Sequence, residues 1–406
     1  VIDNQIQTQR ASGSVNSNQS KDGLEVDRIS AKMKQIQQMI HQYYLFDEDT
    51  KQVEDGIYMG LMYGLNDPYS VYYNEESYQA MQEDTSGTYS GIGAMVSQNS
   101  TTGVMTISKV FKGAPAYEAG MLPGDILYEV GGTSIVGMDM QLVISDHIRG
   151  EDGSFVKIKV LRGENNDEVE LNVERRKVEV PTVEHQMLED QVGYIYVLQF
   201  DMITPSQFCS AVDDLENQGM KKLIIDLRGN PGGVVDSVVE MLAYILPEDK
   251  MEGLLLYTGD KAGEGEKYFC KNGQLQQSSD HGIAVSGYPK ADGHELKLPL
   301  VVLVNGHSAS ASEVFTGAIQ DYDWGTVVGT QTFGKGIVQN LIPLGDGTAI
   351  KLTTSHYYTP SGFDLHKVGL TPDVVVELKE ELKTKAVVSL EEDNQVQEAL
   401  KILAEP

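Results

Sequence analysis

Two stretches of this chain share one grammar, and together they constrain the fold class more than anything else in it. Leu223-Ile224-Ile225-Asp226-Leu227 is short and largely apolar. It runs straight into Arg228-Gly229-Asn230-Pro231-Gly232-Gly233 and then into a helical pattern through Val239, Leu242 and Ile245. Leu298 to Val304 does the same, leading through Asn305-Gly306-His307-Ser308-Ala309-Ser310-Ala311-Ser312 to a helix bearing Val314, Phe315, Ala318 and Ile319. Strands of this kind sit inside a sheet covered on both faces, and strand–turn–helix repeats build parallel pairs. Thr326–Val328 and Ala349–Thr353 add strands, so the expectation is an α/β core with a mostly parallel sheet. Lys261 to Glu295 is long, polar and glycine-rich and reads as a surface insertion.

Between Tyr89 and Arg162 the texture changes to short strands and glycine turns. Gly103–Ile107 and Val156–Leu161 read as strands, and Ala114–Ala119 and Met140–Ile148 as helices. This arrangement resembles a PDZ domain, and Ala119-Gly120-Met121-Leu122-Pro123-Gly124-Asp125-Ile126-Leu127 carries the likeness. The resemblance implies that Ser90-Gly91-Ile92-Gly93-Ala94 offers backbone N–H groups to a peptide's terminal carboxylate, while the peptide adds a strand to the sheet edge. Gly91 and Gly93 let the N–H groups converge, and Ile92 can line an apolar pocket.

At 406 residues the chain is long enough for several domains. The boundaries expected are a tether at 1–24, a helical region at 25–85, a PDZ domain at 86–165, the α/β core at 166–380 and a helical segment at 381–406. In the helical region Ile29, Met33, Ile36, Ile40 and Tyr43 recur at helical spacing, followed by Val53, Ile57 and Leu61. Such a pair packs either on a partner or back on the main body.

Sixty acidic against 31 basic residues give a net charge of −29, which argues against nucleic acid and anionic lipid as partners. No apolar run approaches the roughly 18 residues of a membrane span. No Cys/His spacing resembles a zinc site, so no metal or cofactor is expected. Cys209 lies among Phe208, Val212 and Leu215 and reads as a buried thiol rather than half of a bridge to Cys270.

The chemistry concentrates between Asn305 and Gln339. A serine hydroxyl needs a base to become a nucleophile. His307 is too close in sequence to the serine run for an easy in-line pair. A lysine serves only when neutral, its pKa drawn well below about 10.4 by burial. Lys335 follows Phe333 between two glycines, so it is either threaded into an interior or exposed on a turn. Ser310 and Glu313 fit a helix capping box, which gives Ser310 a structural role as well. A nucleophile at a helix N-terminus would gain from the free N–H groups there. Local reasoning leaves Ser308, Ser310 and Ser312 unseparated.

Ser308-Ala309-Ser310-Ala311-Ser312-Glu313, the lysine in Phe333-Gly334-Lys335-Gly336, Asp226-Leu227-Arg228-Gly229-Asn230-Pro231-Gly232-Gly233 and Gly369-Leu370-Thr371-Pro372-Asp373 are together similar to the carboxyl-terminal processing (tail-specific) proteases. These are serine peptidases with an inserted PDZ domain. The likeness runs from about Ile29 to Leu378. It implies Ser310 as nucleophile, Lys335 as general base and Gln339 as the group that orients the lysine. It also implies an oxyanion hole from the N–H of Ala311 and of Gly232 or Gly233. Substrates would be proteins or peptides with free C-termini, docked on the PDZ domain and cut upstream, with peptide binding gating the site. Arg162, at the end of a PDZ strand, is the candidate sensor of that event. A homodimer and an extracytoplasmic setting, with a signal or anchor at the N-terminus, complete the expectation. The competing reading is a non-catalytic PDZ scaffold.

Overall fold

The computed structural model of the chain describes residues 23–279, 282–285, 295–385 and 388–405. The expected tether therefore lies almost wholly outside the described residues. The chain divides into a unit that ends at Gly60 and a second that begins at Leu61. In the first, the helix Val26–Tyr43 has no buried residue. Val26, Ile29, Met33, Ile36, Met39 and Tyr43 are all exposed. No helix among the described residues is long and apolar enough to cross a membrane.

The second unit is built around one six-stranded sheet. Its order is Val183–Met187, Val192–Val197, Lys222–Asp226, Leu300–Val304, Thr326–Gly329 and Val374–Val375. The first pair is antiparallel and the rest are parallel. All five residues of Leu300–Val304 are buried, because helices cover both faces. One face packs Phe208, Val212, Leu242, Phe315 and Ile319 from the helices Thr204–Asn217, Val235–Ile245 and Ala311–Asp321. The other face packs Val396, Ala399 and Leu403 of the helix Asn394–Ala404. Arg228 fastens that helix to the sheet. Its guanidinium makes hydrogen bonds with Asp226, Asp393 and Gln395 at 2.6 to 3.1 Å.

The expectation of a mostly parallel sheet needs correction. Among the described residues parallel ladders are confined to this one sheet, and the sheets are mostly antiparallel. A seven-stranded antiparallel sheet contains Val71–Tyr73, Ala349–Tyr358, Leu254–Asp260, Lys267–Lys271, Gln274–Ser279, Gly282–Val285 and Ile337–Pro343. Several of its strands are joined by short turns, which permit antiparallel pairing only. The stretch from Lys261 to Glu295 is likewise no plain insertion, since three of these strands come from it.

A six-stranded antiparallel sheet from Ala94 to Glu174 closes over its own core of Met105, Ile107, Leu127, Ile158 and Val173. The helical turns Met140–Val143 and Ile144–Ile148 accompany it. The chain enters and leaves this body along one antiparallel ribbon, Thr88–Gly91 against Arg176–Glu179.

Candidate active site

Lys222–Asp226 and Leu300–Val304 are neighbours in the parallel sheet, with Asp226 opposite Leu303. Their C-terminal ends therefore release two turns side by side, the crevice where open α/β sheets place their sites. Asn230, fully buried, stitches the turns together. Its carbonyl accepts from Ala309 N–H at 3.1 Å and Ser312 Oγ–H at 3.0 Å, and its Nδ2 donates to Val197 O at 2.9 Å.

The three serines part company here. Ser308 and Ser312 are fully buried, and their hydroxyls donate to Leu227 O at 2.8 Å and Asn230 O at 3.0 Å. Ser310 is half-buried and stands at φ 56°, ψ −116°, immediately before the helix Ala311–Asp321. A non-glycine residue in that region is strained, and a strained strand-to-helix turn is how a serine hydroxyl is lifted clear of its surroundings. Ser310 and Glu313 form the expected capping box, in which Glu313 Oε2 accepts from Ser310 N–H at 3.0 Å.

Glu313 does more than cap. It is fully buried, and its carboxylate also accepts from Thr332 Oγ–H at 2.6 Å, Gly334 N–H at 2.7 Å and Lys335 N–H at 2.8 Å. The Tyr357 hydroxyl stands between Ser310 O, at 2.9 Å, and Lys335 O, at 2.6 Å. Two side chains thus bind the turn of Ser310 to the turn of Lys335. Sequence reasoning gave Glu313 only a capping role and missed Tyr357, which lies 22 residues beyond Lys335 with no local signal.

Lys335 is half-buried, and its Nζ sits 4.6 Å from the centre of the Tyr69 ring. Burial lowers its pKa below the usual lysine value. The nearby charge of Lys351 lowers it further, against the opposing pull of Asp67 and Glu313. His307 is exposed. Among the described residues, no hydrogen bond joins Lys335 Nζ to Ser310 Oγ. Gln339 does not reach the lysine either; its Nε2 donates to Ile337 O at 3.4 Å and to Thr353 Oγ1 at 3.3 Å.

Gly232 lies against the serine turn. A Cβ added there would fall 2.6 Å from Ala309 O, 2.7 Å from Ser310 Cβ and 2.9 Å from Ala311 N. Its φ of +99° also suits glycine alone. The N–H of Gly232, however, donates to Asn230 Oδ1 at 2.8 Å. Gly233 pairs with Phe200 through a parallel bridge.

In the upstream body, Ile92 is only 2% exposed and belongs to the core, so it does not line an open pocket. Arg162 is held by Asp125, at 2.8 and 2.7 Å, and by Gly120 O at 2.8 Å. Neither cysteine is in a disulfide. No cluster of three or more His, Cys, Asp or Glu suited to a metal occurs among the described residues.

Three family models match the chain: peptidase family S41 over residues 191–376, a PDZ domain over 106–175 and an activating protease CtpB N-terminal domain over 2–77. The chain is 31% identical over 355 residues to the carboxy-terminal processing protease CtpB of Bacillus subtilis (strain 168), covering 87% of this chain and 68% of that protein. The chain belongs to the carboxy-terminal processing proteases. A carboxy-terminal-processing protease of Bartonella bacilliformis is 32% identical over 340 residues, 83% of this chain and 72% of its own. A probable CtpA-like serine protease of Staphylococcus aureus (strain COL) is 33% identical over 346 residues, covering 85% and 64%. As a carboxy-terminal processing protease, the chain is a serine-type peptidase carrying a PDZ domain, and the scaffold alternative falls away.

Proposed function

We propose that this protease cuts proteins upstream of a free C-terminus with a Ser310–Lys335 centre, the PDZ domain reading the terminus. One observation carries the choice of nucleophile: of the three serines, Ser308 and Ser312 have their hydroxyls committed to backbone carbonyls, while Ser310 stands strained at a helix start. Neutral Lys335 takes the Ser310 proton as the hydroxyl attacks the scissile carbonyl, then returns it to the leaving amine. Burial and the Lys351 charge favour the neutral form that this step needs.

The tetrahedral oxyanion is received by the N–H of Ala311 at the helix start and by that of Gly233, since Gly232 already donates to Asn230. Gln339 enters the lysine's shell only if the strand Ile337–Pro343 adjusts, in keeping with a site completed by peptide docking. The ribbon Thr88–Gly91 with Arg176–Glu179 is the natural hinge for that adjustment. Arg162 contributes by holding the PDZ strand end to Asp125 rather than by meeting the peptide.

The exposed apolar stripe of Val26–Tyr43 supports a homodimer formed through the N-terminal helices. Kinship with bacterial CtpB- and CtpA-like proteases supports an extracytoplasmic setting.

The test is cleavage of an unstructured protein with an apolar C-terminus by wild type and Ser310→Ala, with free-acid and amidated versions compared. Cleavage by wild type alone, faster on the free acid, is the expected result. Robust cleavage by Ser310→Ala would refute the centre, and equal rates on the two termini would refute tail reading.

A further inference from the structure

The glycine turn that should receive the peptide carboxylate is not bare. The Tyr89 ring lies across it: a Cβ added at Gly91 would fall 2.5 Å from Tyr89 Cε2 and 2.8 Å from Cδ2. Tyr89 packs on Phe111, Ala114 and Val178. Ala114 and Val178 also back the far end of the turn, where a Cβ on Gly93 would meet Ala114 Cβ at 2.3 Å and Val178 Cγ1 at 3.2 Å. The phenol thus lies against the turn at Gly91 and packs on the same residues that back Gly93.

Two kinds of group that welcome negative charge converge on that phenol. Burial pushes its pKa up, but the N–H groups of Gly93 and Ala94 and the charge of Arg149 all favour the ionised form. A carboxylate placed there would meet the same donors and the same cation without a phenol's reluctance to ionise. Arg149 follows the helical turn Ile144–Ile148 and holds its guanidinium carbon 5.6 Å from the Tyr89 ring centre. Its neighbour Gly150 accepts from Ser90 Oγ–H at 3.1 Å, which fixes this corner against the turn.

Arg149 is also a tether. Its Nη1 donates to Glu83 Oε2 at 2.6 Å, and Glu83 sits on the helix Glu75–Ser86, outside the PDZ body. The next residues bear on the peptidase core: Met202 N–H donates to Thr85 O at 3.0 Å, and Gly87 lies against Ile203.

We propose that Arg149 is the residue that reads the peptide's C-terminal carboxylate, that Tyr89 occupies the carboxylate's place in the free protein, and that Glu83 is the carboxylate Arg149 gives up on binding. The exchange links recognition to the core, because the partner surrendered lies on the core side. This rests on the reading that the Gly91–Gly93 turn is the carboxylate cradle.

The test is direct binding of a labelled peptide with an apolar C-terminus, as free acid and as amide, to the full chain carrying Ser310→Ala so that the peptide survives. Arg149→Gln should cut the acid-over-amide preference by about tenfold or more while leaving amide affinity little changed. Glu83→Gln should do the opposite, strengthening acid binding several-fold by removing the competitor. Tyr89→Phe should also strengthen it, by taking the phenol oxygen away from the carboxylate's place. An undiminished preference in Arg149→Gln would overturn the proposal. So would a Glu83→Gln variant that loses preference as Arg149→Gln does, since that marks a merely structural pair. A parent protein that binds acid and amide equally would instead overturn the cradle reading beneath it.

Discussion

Ser310 and Lys335 meet on a single oxygen. Glu313 Oε2 accepts the backbone N–H of Ser310 at 3.0 Å and that of Lys335 at 2.8 Å, so the strained serine and the half-buried lysine hang from one carboxylate. The other oxygen of Glu313 holds Thr332 and Gly334, the residues that aim the lysine turn. A centre assembled this way depends on a residue that never touches substrate.

Glu313→Gln should therefore impair both fold and rate. An amide presents an NH₂ where N–H donors converge, leaving at least one buried donor unpaired at a cost of about 1–3 kcal/mol. Thermal denaturation should show the loss, and kcat should fall more than KM rises. Tyr357→Phe removes the hydroxyl between Ser310 O and Lys335 O and should lower kcat with a smaller loss of stability, about 1 kcal/mol. Unchanged kcat in both variants would mean that the two turns align without them.

The three serines should behave as three different residues. Ser308→Ala and Ser312→Ala each strip a donor from a buried carbonyl and should cost about 1–3 kcal/mol of stability while the folded protein still cleaves. Ser310→Ala should keep most of its stability and lose its activity. Parallel melting and cleavage measurements on the three variants check this.

Much of this was legible in the sequence. The apolar strand runs before Arg228 and Asn305, and the glycine and serine turns after them, are local signals, and they set the two crevice turns side by side. What the sequence hid is non-local. Antiparallel pairing of Lys267–Lys271 and Gln274–Ser279 was obscured because the second strand is polar and the segment around them is rich in glycine and polar residues. Tyr357 comes to the site through the long-range pairing of Ala349–Tyr358 with Leu254–Asp260 and Ile337–Pro343. The separation of Ser310 from its neighbours depended on hydrogen bonds to Leu227 and Asn230, about 80 residues earlier, as their sequence separations of 81 and 82 record.

The pH dependence should carry the lysine's signature. Cleavage should rise with pH as Lys335 loses its proton, with a midpoint below the ordinary lysine value near about 10.4. Lys351→Gln removes a neighbouring positive charge, so the Lys335 pKa should rise and the midpoint move to higher pH. Stability should follow the same sign. A lysine whose folded pKa is lowered binds fewer protons folded than unfolded, so stability increases as pH rises between the two values. Lys335→Arg stays charged throughout and should be inactive. A midpoint that ignores Lys351→Gln would remove Lys335 as the titrating group.

Gly232→Ala should damage the site more than the sheet. Its Cβ would press on Ala309 O and Ser310 Cβ, displacing Ser310 and the Ala311 N–H together. A fall in kcat with KM nearly constant is expected, and steady-state kinetics on the folded variant would show it.

The central claim is that Ser310 attacks while Lys335 takes its proton. The most direct measurement is mass-spectrometric mapping of the serine modified by a fluorophosphonate, in wild type and in Lys335→Arg at equal pH. Modification confined to Ser310, and slowed by at least about a hundredfold in Lys335→Arg, is the result this account predicts. Modification at Ser308 or Ser312, or an unchanged rate in Lys335→Arg, would contradict it.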